Sequence, residues 1–303
     1  MRLLLTGAFN WKQQYIQALQ KHGFRIMLSD REDSELDPSM YHAEAVVCNW
    51  LFVHHRIEDF PELRYIQLTS AGTDRIPEDY IRQKNIAVRT ARGVYSRPMA
   101  EYAVGSVLQL YKGSPEFYEN QKQHLWKKNR CCRELSEERV CIIGAGSVGT
   151  ETARLFSAFT PEVYGIDLYP RKNSCFREVF PIDRLDEQIG LSDIVILTLP
   201  LTDETRDMFN KKRFAAMKEN SVFINIARGG LVDERALSEA LDDHLYGAVV
   251  DTFRHEPLSP DSDLWDKKNL IITPHNSFVS DRNEERMWQV IYNSLTEYIA
   301  GQN

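Results

Sequence analysis

Val140-Cys-Ile-Ile-Gly-Ala-Gly-Ser-Val-Gly149 places four apolar residues directly before glycines at 144, 146 and 149. A Gly-x-Gly-x-x-Gly spacing alone is weak evidence. Here a strand-like run precedes it, and "TETARLFSAF" follows with Ala153, Phe156 and Phe159 at helical spacing. In such a strand-turn-helix, Gly144 permits the tight turn, Gly146 lets the backbone approach a pyrophosphate, and Gly149 lets helix and strand pack closely. The helix start, Ser147 and Val148, supplies amides and partial positive charge for phosphates. The next strand ends at Asp167, where a carboxylate accepts hydrogen bonds from ribose hydroxyls and favours NAD; Arg171 and Lys172 just beyond it keep NADP open.

The fingerprint lies near the middle of a 303-residue chain, long enough for two domains. Before it, apolar runs rich in Val, Ile and Leu recur as "RLLL", "FRIML", "AVVC", "YIQL" and "IAV". After it come "EVYGID", "DIVILTL", "SVFINI", "YGAVV" and "LIIT". Such runs alternating with helical patterns predict two successive parallel α/β sheets. Between them, Ser96 to Gly113 predicts a long interdomain helix, with Ser96 as N-cap, Pro98 in the first turn, and Met99, Tyr102, Ala103, Val107 and Leu110 on one face. The following segment, 113–138, is the most loop-like of the chain. A final helix, carrying Met287, Val290, Ile291, Leu295 and Tyr298, has no strand after it and is expected to pack back on the first domain.

Composition excludes several classes. Hydrophobic residues are 43% and charged residues 27%, and no apolar run approaches the roughly 18 residues of a membrane span. "MRLLLTGAFN" is too short an apolar run for a signal peptide and reads as a first strand. A net charge of −7 without a basic run argues against nucleic acid as a partner. Five cysteines, with no C-x-x-C, predict free thiols and a cytoplasmic protein; Cys131 and Cys132 read as two loop thiols. No spacing suited to zinc occurs, so no metal is expected.

Ligands of open α/β sheets bind at strand ends, and "NIARGGLVDE", "VVDTFRHEPL" and "TPHNSF" all lie at such ends. Arg228 carries a planar fork suited to a carboxylate. Glu256, five residues past Asp251, is a partner for the imidazole of His275, making His275 a proton donor to a carbonyl near neutral pH. His255 is the rival. Adjacent residues of an extended segment point opposite ways, and His275 holds the more rigid position.

Together these residues resemble the D-isomer-specific 2-hydroxyacid dehydrogenase family. The match runs in order from "LRYIQLTSAGTDRI" through "MAEYAVG", the fingerprint, "LPLTDETRDMF", "INIARGGLVDE", "VVDTFRHEPL" and "TPHNSF" to a C-terminal Tyr-x-x-Gly. The resemblance implies a Rossmann-type doubly wound parallel sheet, residues 98–279, inserted into a flavodoxin-like α/β substrate domain, residues 1–97 plus 280–303. It implies Arg228 holding a small 2-oxo or 2-hydroxy acid, His275 as general acid/base and Glu256 as its partner. Backbone amides of Ser70, Ala71, Gly72 and Thr73 would take the substrate carboxylate. Cofactor contacts would lie at the fingerprint, Asp167, Leu199, Pro200, Thr205, Ala227, Arg228, Asp251 and His275, and a homodimer would form through the NAD-binding domain. Some relatives are NAD-binding corepressors, which leaves a regulatory protein as the alternative. Two departures bear on the substrate. Trp50 and its neighbours Leu51 and Phe52 offer aromatic walls for an apolar 2-oxo acid. Arg92 and Arg97, flanking Tyr95, offer charge for a second acidic group, and all of these equally suit packing at the domain junction.

Overall fold

The computed structural model describes residues 1–301, which divide into two compact units: Met1–Tyr95 with the chain from Ser280 onward, and Ser96–Val279. The first unit is built on β1 (Arg2–Thr6), β2 (Arg25–Ser29), β3 (Ala45–Cys48), β4 (Tyr65–Leu68) and β5 (Ala87–Arg89), all parallel in the order β2-β1-β3-β4-β5. Chain direction across the sheet reverses between β1 and β3, as in flavodoxin-like folds. Strand alternation feeds two cores. Leu3 and Leu5 of β1 and Ala45 and Val47 of β3 face one side, whereas Leu4, Val46 and Cys48 face the other. The first of these layers is closed by Met287, Ile291 and Leu295 of the last helix, Asn283–Ala300. Each such aliphatic side chain contributes about 2 kcal/mol by leaving water.

The second unit holds β6 (Val140–Ile143), β7 (Val163–Asp167), β8 (Glu178–Pro181), β9 (Ile194–Leu197), β10 (Val222–Asn225), β11 (Gly247–Val250) and β12 (Leu270–Ile272). All seven are parallel, in the order β12-β11-β10-β9-β6-β7-β8, so this sheet reverses between β6 and β9. That order is the doubly wound arrangement of a Rossmann domain, and both faces are buried: Cys141, Ile143 and Phe223 on one, Val140, Ile142, Val222 and Ile224 on the other.

Three local expectations are corrected. The segment 113–138 is not wholly loop, because Ser114–Lys122 forms a helix with Pro115 in its first turn. The helix after the fingerprint is Ser147–Phe156, so Phe159 lies past its end and is exposed. An edge strand, β8, was not expected: "EVFP" is half-exposed and ends in proline, which only an edge tolerates. The helix Ser96–Tyr111 starts at Ser96 itself and buries Ala103, Val107 and Leu110 in the second unit's core. No helix among the described residues is long and apolar enough to cross a membrane, and no cluster of His, Cys, Asp and Glu there has the makings of a metal site.

Candidate active site

In the second unit, loops leaving the C-terminal ends of β6, β9, β10, β11 and β12 gather along one sheet edge. At β6, Gly144 has φ 102°, a left-handed conformation that glycine adopts freely, and a Cβ there would lie 2.9 Å from the Leu199 amide nitrogen after β9. A Cβ on Gly149 would meet the Gly144 carbonyl oxygen at 1.9 Å, so the helix start is pressed against the turn. Around Gly146, by contrast, a Cβ would have nothing within 4 Å. Among the described residues the N–H groups of Ser147 and Val148 have no acceptor. An open cradle at the start of a ten-residue helix, with unanswered amides facing it, fits a dinucleotide pyrophosphate.

The other expected cofactor residues are placed as follows. Asp167 ends β7, and its carboxylate accepts hydrogen bonds from the Ala145 N–H at 2.8 Å and the Tyr169 N–H at 2.9 Å, so it also braces the glycine turn. Thr205 donates to the Pro200 carbonyl at 2.9 Å and accepts from the Thr202 N–H at 2.7 Å, closing the turn after Leu199. Ala227 is buried. Asp251 directly follows β11. It has no exposed surface, and its carboxylate accepts from the Thr273 hydroxyl (2.5 Å) and the N–H groups of Asn276 (2.7 Å) and Ser277 (3.0 Å). Its carbonyl takes the His275 N–H at 2.8 Å.

That clamp fixes the turn that carries His275. The residue sits at φ 51°, where an ordinary side chain is uncommon, and the bonds to Asp251 over-determine the backbone. His275 Nδ1 lies 2.8 Å from Glu256 Oε2, and Glu256 Oε1 accepts from the Phe253 N–H at 3.0 Å. Since a carboxylate only accepts, Nδ1 carries the proton and Nε2 is left for chemistry. The two side chains are 32% and 38% exposed, open enough to meet a substrate yet held in one orientation. Phe278 meets the imidazole edge-on, with ring centroids 5.8 Å apart. His255, the rival, is exposed and has no hydrogen-bond partner among the described residues.

Arg228 follows β10, one strand over. Its backbone carbonyl accepts from buried Asn225 Nδ2 at 3.0 Å, and its guanidinium donates to the Ala227 carbonyl at 2.9 Å. A Cβ on Gly229 would lie 1.9 Å from the Phe253 carbonyl carbon, so the Arg228 and Glu256 loops press together. Only glycine permits that approach.

In the first unit, the Ser70–Thr73 loop leaves β4. The Ser70 hydroxyl bonds the Gly72 carbonyl at 2.9 Å, and Thr73 Oγ1 bonds Glu78 at 2.6 Å. Among the described residues the four backbone N–H groups of Ser70, Ala71, Gly72 and Thr73 make no hydrogen bond. Tyr95 donates its hydroxyl to the Thr69 carbonyl at 2.6 Å, and burial pushes its pKa up to about 12, so the phenol stays neutral. Trp50 is 44% exposed under the Arg75 guanidinium, which stands 3.7 Å above its ring.

Sequence reasoning missed the supports: Thr273, Asn225, and Tyr102, whose hydroxyl lies 2.6 Å from Thr273 Oγ1. The Asp251-to-Thr273 spacing carried no signal, because the contact exists only once β11 and β12 pair.

The sequence model described as D-isomer specific 2-hydroxyacid dehydrogenase, NAD binding domain, matches residues 104–277. The (S)-sulfolactate dehydrogenase of Chromohalobacter salexigens is 33% identical over 238 residues, 77% of this chain and 77% of that protein. The crystal structure of D-lactate dehydrogenase from Aquifex aeolicus, complexed with NAD and lactic acid, is similar at a TM-score of 0.82 and 25% identity, covering 99% of this chain and 96% of that one. A D-isomer specific 2-hydroxyacid dehydrogenase from Xanthobacter autotrophicus Py2, in complex with NADPH and MES, has a TM-score of 0.78 at 27% identity, covering 98% and 95%.

Proposed function

This chain belongs to the D-isomer specific 2-hydroxyacid dehydrogenase family, and we propose that Arg228, Glu256 and His275 are the groups that carry its reaction. The protein is an oxidoreductase that transfers a hydride between a nicotinamide cofactor and a small 2-oxo acid or D-2-hydroxy acid. The cofactor, when bound, supplies or accepts the hydride. The Gly144–Gly149 cradle with Ser147 and Val148 would hold its pyrophosphate, and Asp167 would meet its ribose hydroxyls, which favours NAD over NADP. His275 Nε2 gives a proton to the carbonyl oxygen during reduction and takes it back from the hydroxyl in the reverse direction. Glu256 fixes the ring and stabilises its protonated form. Arg228 pairs its fork with the substrate carboxylate. The amides of Ser70–Thr73 are further carboxylate donors, and Trp50 meets the substituent. On this reading the first unit is the substrate domain and the second the cofactor domain.

The observation that carries the reading is the 2.8 Å Glu256–His275 contact on a backbone turn clamped by buried Asp251. A regulatory protein that only binds NAD has no need of an oriented, half-exposed imidazole. The test is a panel of glyoxylate, hydroxypyruvate, pyruvate and branched 2-oxo acids, each with NADH and NADPH. Oxidation of NADH on at least one supports the enzyme. Tight cofactor binding with turnover on none overturns it in favour of the regulatory alternative.

A homodimer through the cofactor domain is part of the proposal. After the helix Ser114–Lys122, Leu125 is exposed and Trp126 is 98% exposed, an apolar surface that a second copy would cover. Sedimentation of the wild type and of Trp126→Glu distinguishes dimer from monomer. The five free cysteines accord with a reducing, cytoplasmic location.

A further inference from the structure

We propose that Glu32 is a positioning residue that sets which 2-oxo acids the site accepts, by fixing the turn that presents Trp50. The inference rests on the reading of Trp50 and Ser70–Thr73 as substrate contacts, and it adds a residue that touches no substrate itself.

Glu32 lies three residues beyond β2, and its carboxylate joins three strand ends. Oε1 accepts from the buried Thr6 hydroxyl at the end of β1 (2.6 Å) and from the Asn49 N–H just past β3 (2.8 Å). Oε2 accepts from the Trp50 N–H at 2.7 Å. Charge-assisted bonds of this length, to two successive amides, fix the direction in which the chain leaves β3. The other side of the turn is held by Arg75, which donates to Asn49 Oδ1 at 2.9 Å and packs its guanidinium on the indole. Arg75 stands two residues past Thr73, and β3 and β4 pair in parallel with Cys48 opposite Leu68. The Trp50 turn and the Ser70–Thr73 loop therefore leave adjacent strands at the same sheet edge.

An indole so clamped is a rigid wall. Glu32, Asn49 and Trp50 also line a depression of about 390 Å³, shared with Gly7, Asp30 and His54, at the point where the five-stranded sheet reverses. The depression adjoins the Trp50 turn, so a turn released from Glu32 has space beside it. With Glu32 in place, the 2-oxo acid's substituent meets a fixed surface, and bulky substituents are refused on size. Without it the wall yields.

The experiment measures kcat and KM for NADH-dependent reduction of glyoxylate, pyruvate and 4-methyl-2-oxopentanoate by wild type, Glu32→Gln, Glu32→Ala, Trp50→Ala and the Glu32→Ala/Trp50→Ala double variant. In Glu32→Ala the ratio of kcat/KM between small and branched substrates is expected to fall roughly tenfold, chiefly through KM, with KM for NADH unchanged. Glu32→Gln, which keeps one acceptor oxygen, should fall between. In the double variant Glu32→Ala should add nothing to the loss of discrimination from Trp50→Ala, the mark of two residues acting as one. Unchanged substrate ratios in Glu32→Ala, whether or not the melting temperature drops, overturn the proposal, as do additive effects in the double variant. Wild-type protein that turns over no 2-oxo acid defeats the functional reading instead, a separate result.

Discussion

The two parallel sheets of this chain end in different kinds of chemistry. Along the edge of the seven-stranded sheet the atoms proposed to act belong to side chains: the Arg228 guanidinium, the Glu256 carboxylate and the His275 imidazole, each on a loop held by buried partners such as Asn225 and Asp251. Along the edge of the five-stranded sheet the available donors are backbone amides at Ser70–Thr73, held by surface or half-buried contacts such as Thr73 to Glu78 and Tyr95 to Thr69. Proton transfer needs one atom at one angle, so its scaffold is buried and over-determined. Carboxylate recognition tolerates several donors, so a looser loop suffices.

Breaking the first edge should cost most. His275→Ala is expected to lower kcat by about a thousandfold while NADH affinity stays near wild type, checked by steady-state kinetics and cofactor titration. A variant that keeps wild-type turnover would remove the side-chain edge from the chemistry. Next is its scaffold. Asp251→Ala leaves the Thr273 hydroxyl and the Asn276 and Ser277 amides without their acceptor, and should destabilise the second unit by roughly 3 kcal/mol. Urea unfolding reads that loss, and a change under about 0.5 kcal/mol would show the clamp to be incidental.

A smaller effect is expected at the other edge. Tyr95→Phe removes the bond to the Thr69 carbonyl, about 1 kcal/mol, and should raise KM for the 2-oxo acid about fivefold with kcat retained. An equal fall in kcat would mean that this edge, too, demands exact placement. The smallest effect compares the sheets directly. Each buries one thiol: Cys48 in β3, held well above its ordinary pKa by burial, and Cys141 in β6, pushed up to about 12 by the same cause. Both stay neutral and shielded up to pH 9, so a thiol reagent should label exposed Cys131 and Cys132 at once and the buried pair only on opening. If Cys48 labels faster than Cys141, the sheet with the looser edge is also the one that opens more readily; the reverse order would separate the two properties.

Much of this was legible before any coordinates. Eleven of the twelve strands appear as apolar runs because both faces of each sheet are covered, which leaves little room for polar residues in a strand. The exception, β8, lies at an edge where that pressure lapses. Glu256 and His275 were legible as a pair because each follows a strand at the same sheet edge. The helix Ser114–Lys122 was not, since no core demands an apolar face from it and none of its residues is buried.

The sequence by itself determined eleven strands in their order and the glycine turn proposed to take a dinucleotide, because glycine spacing and apolar runs are local properties of the chain. Only the tertiary structure decided what Asp251 and Glu32 do. Neither carries a local signal, and each acquires its partners from strand ends 17 to 26 residues away only after β1, β3, β11 and β12 have paired. A buried carboxylate takes its meaning from the amides that surround it, and those are assembled by the sheet.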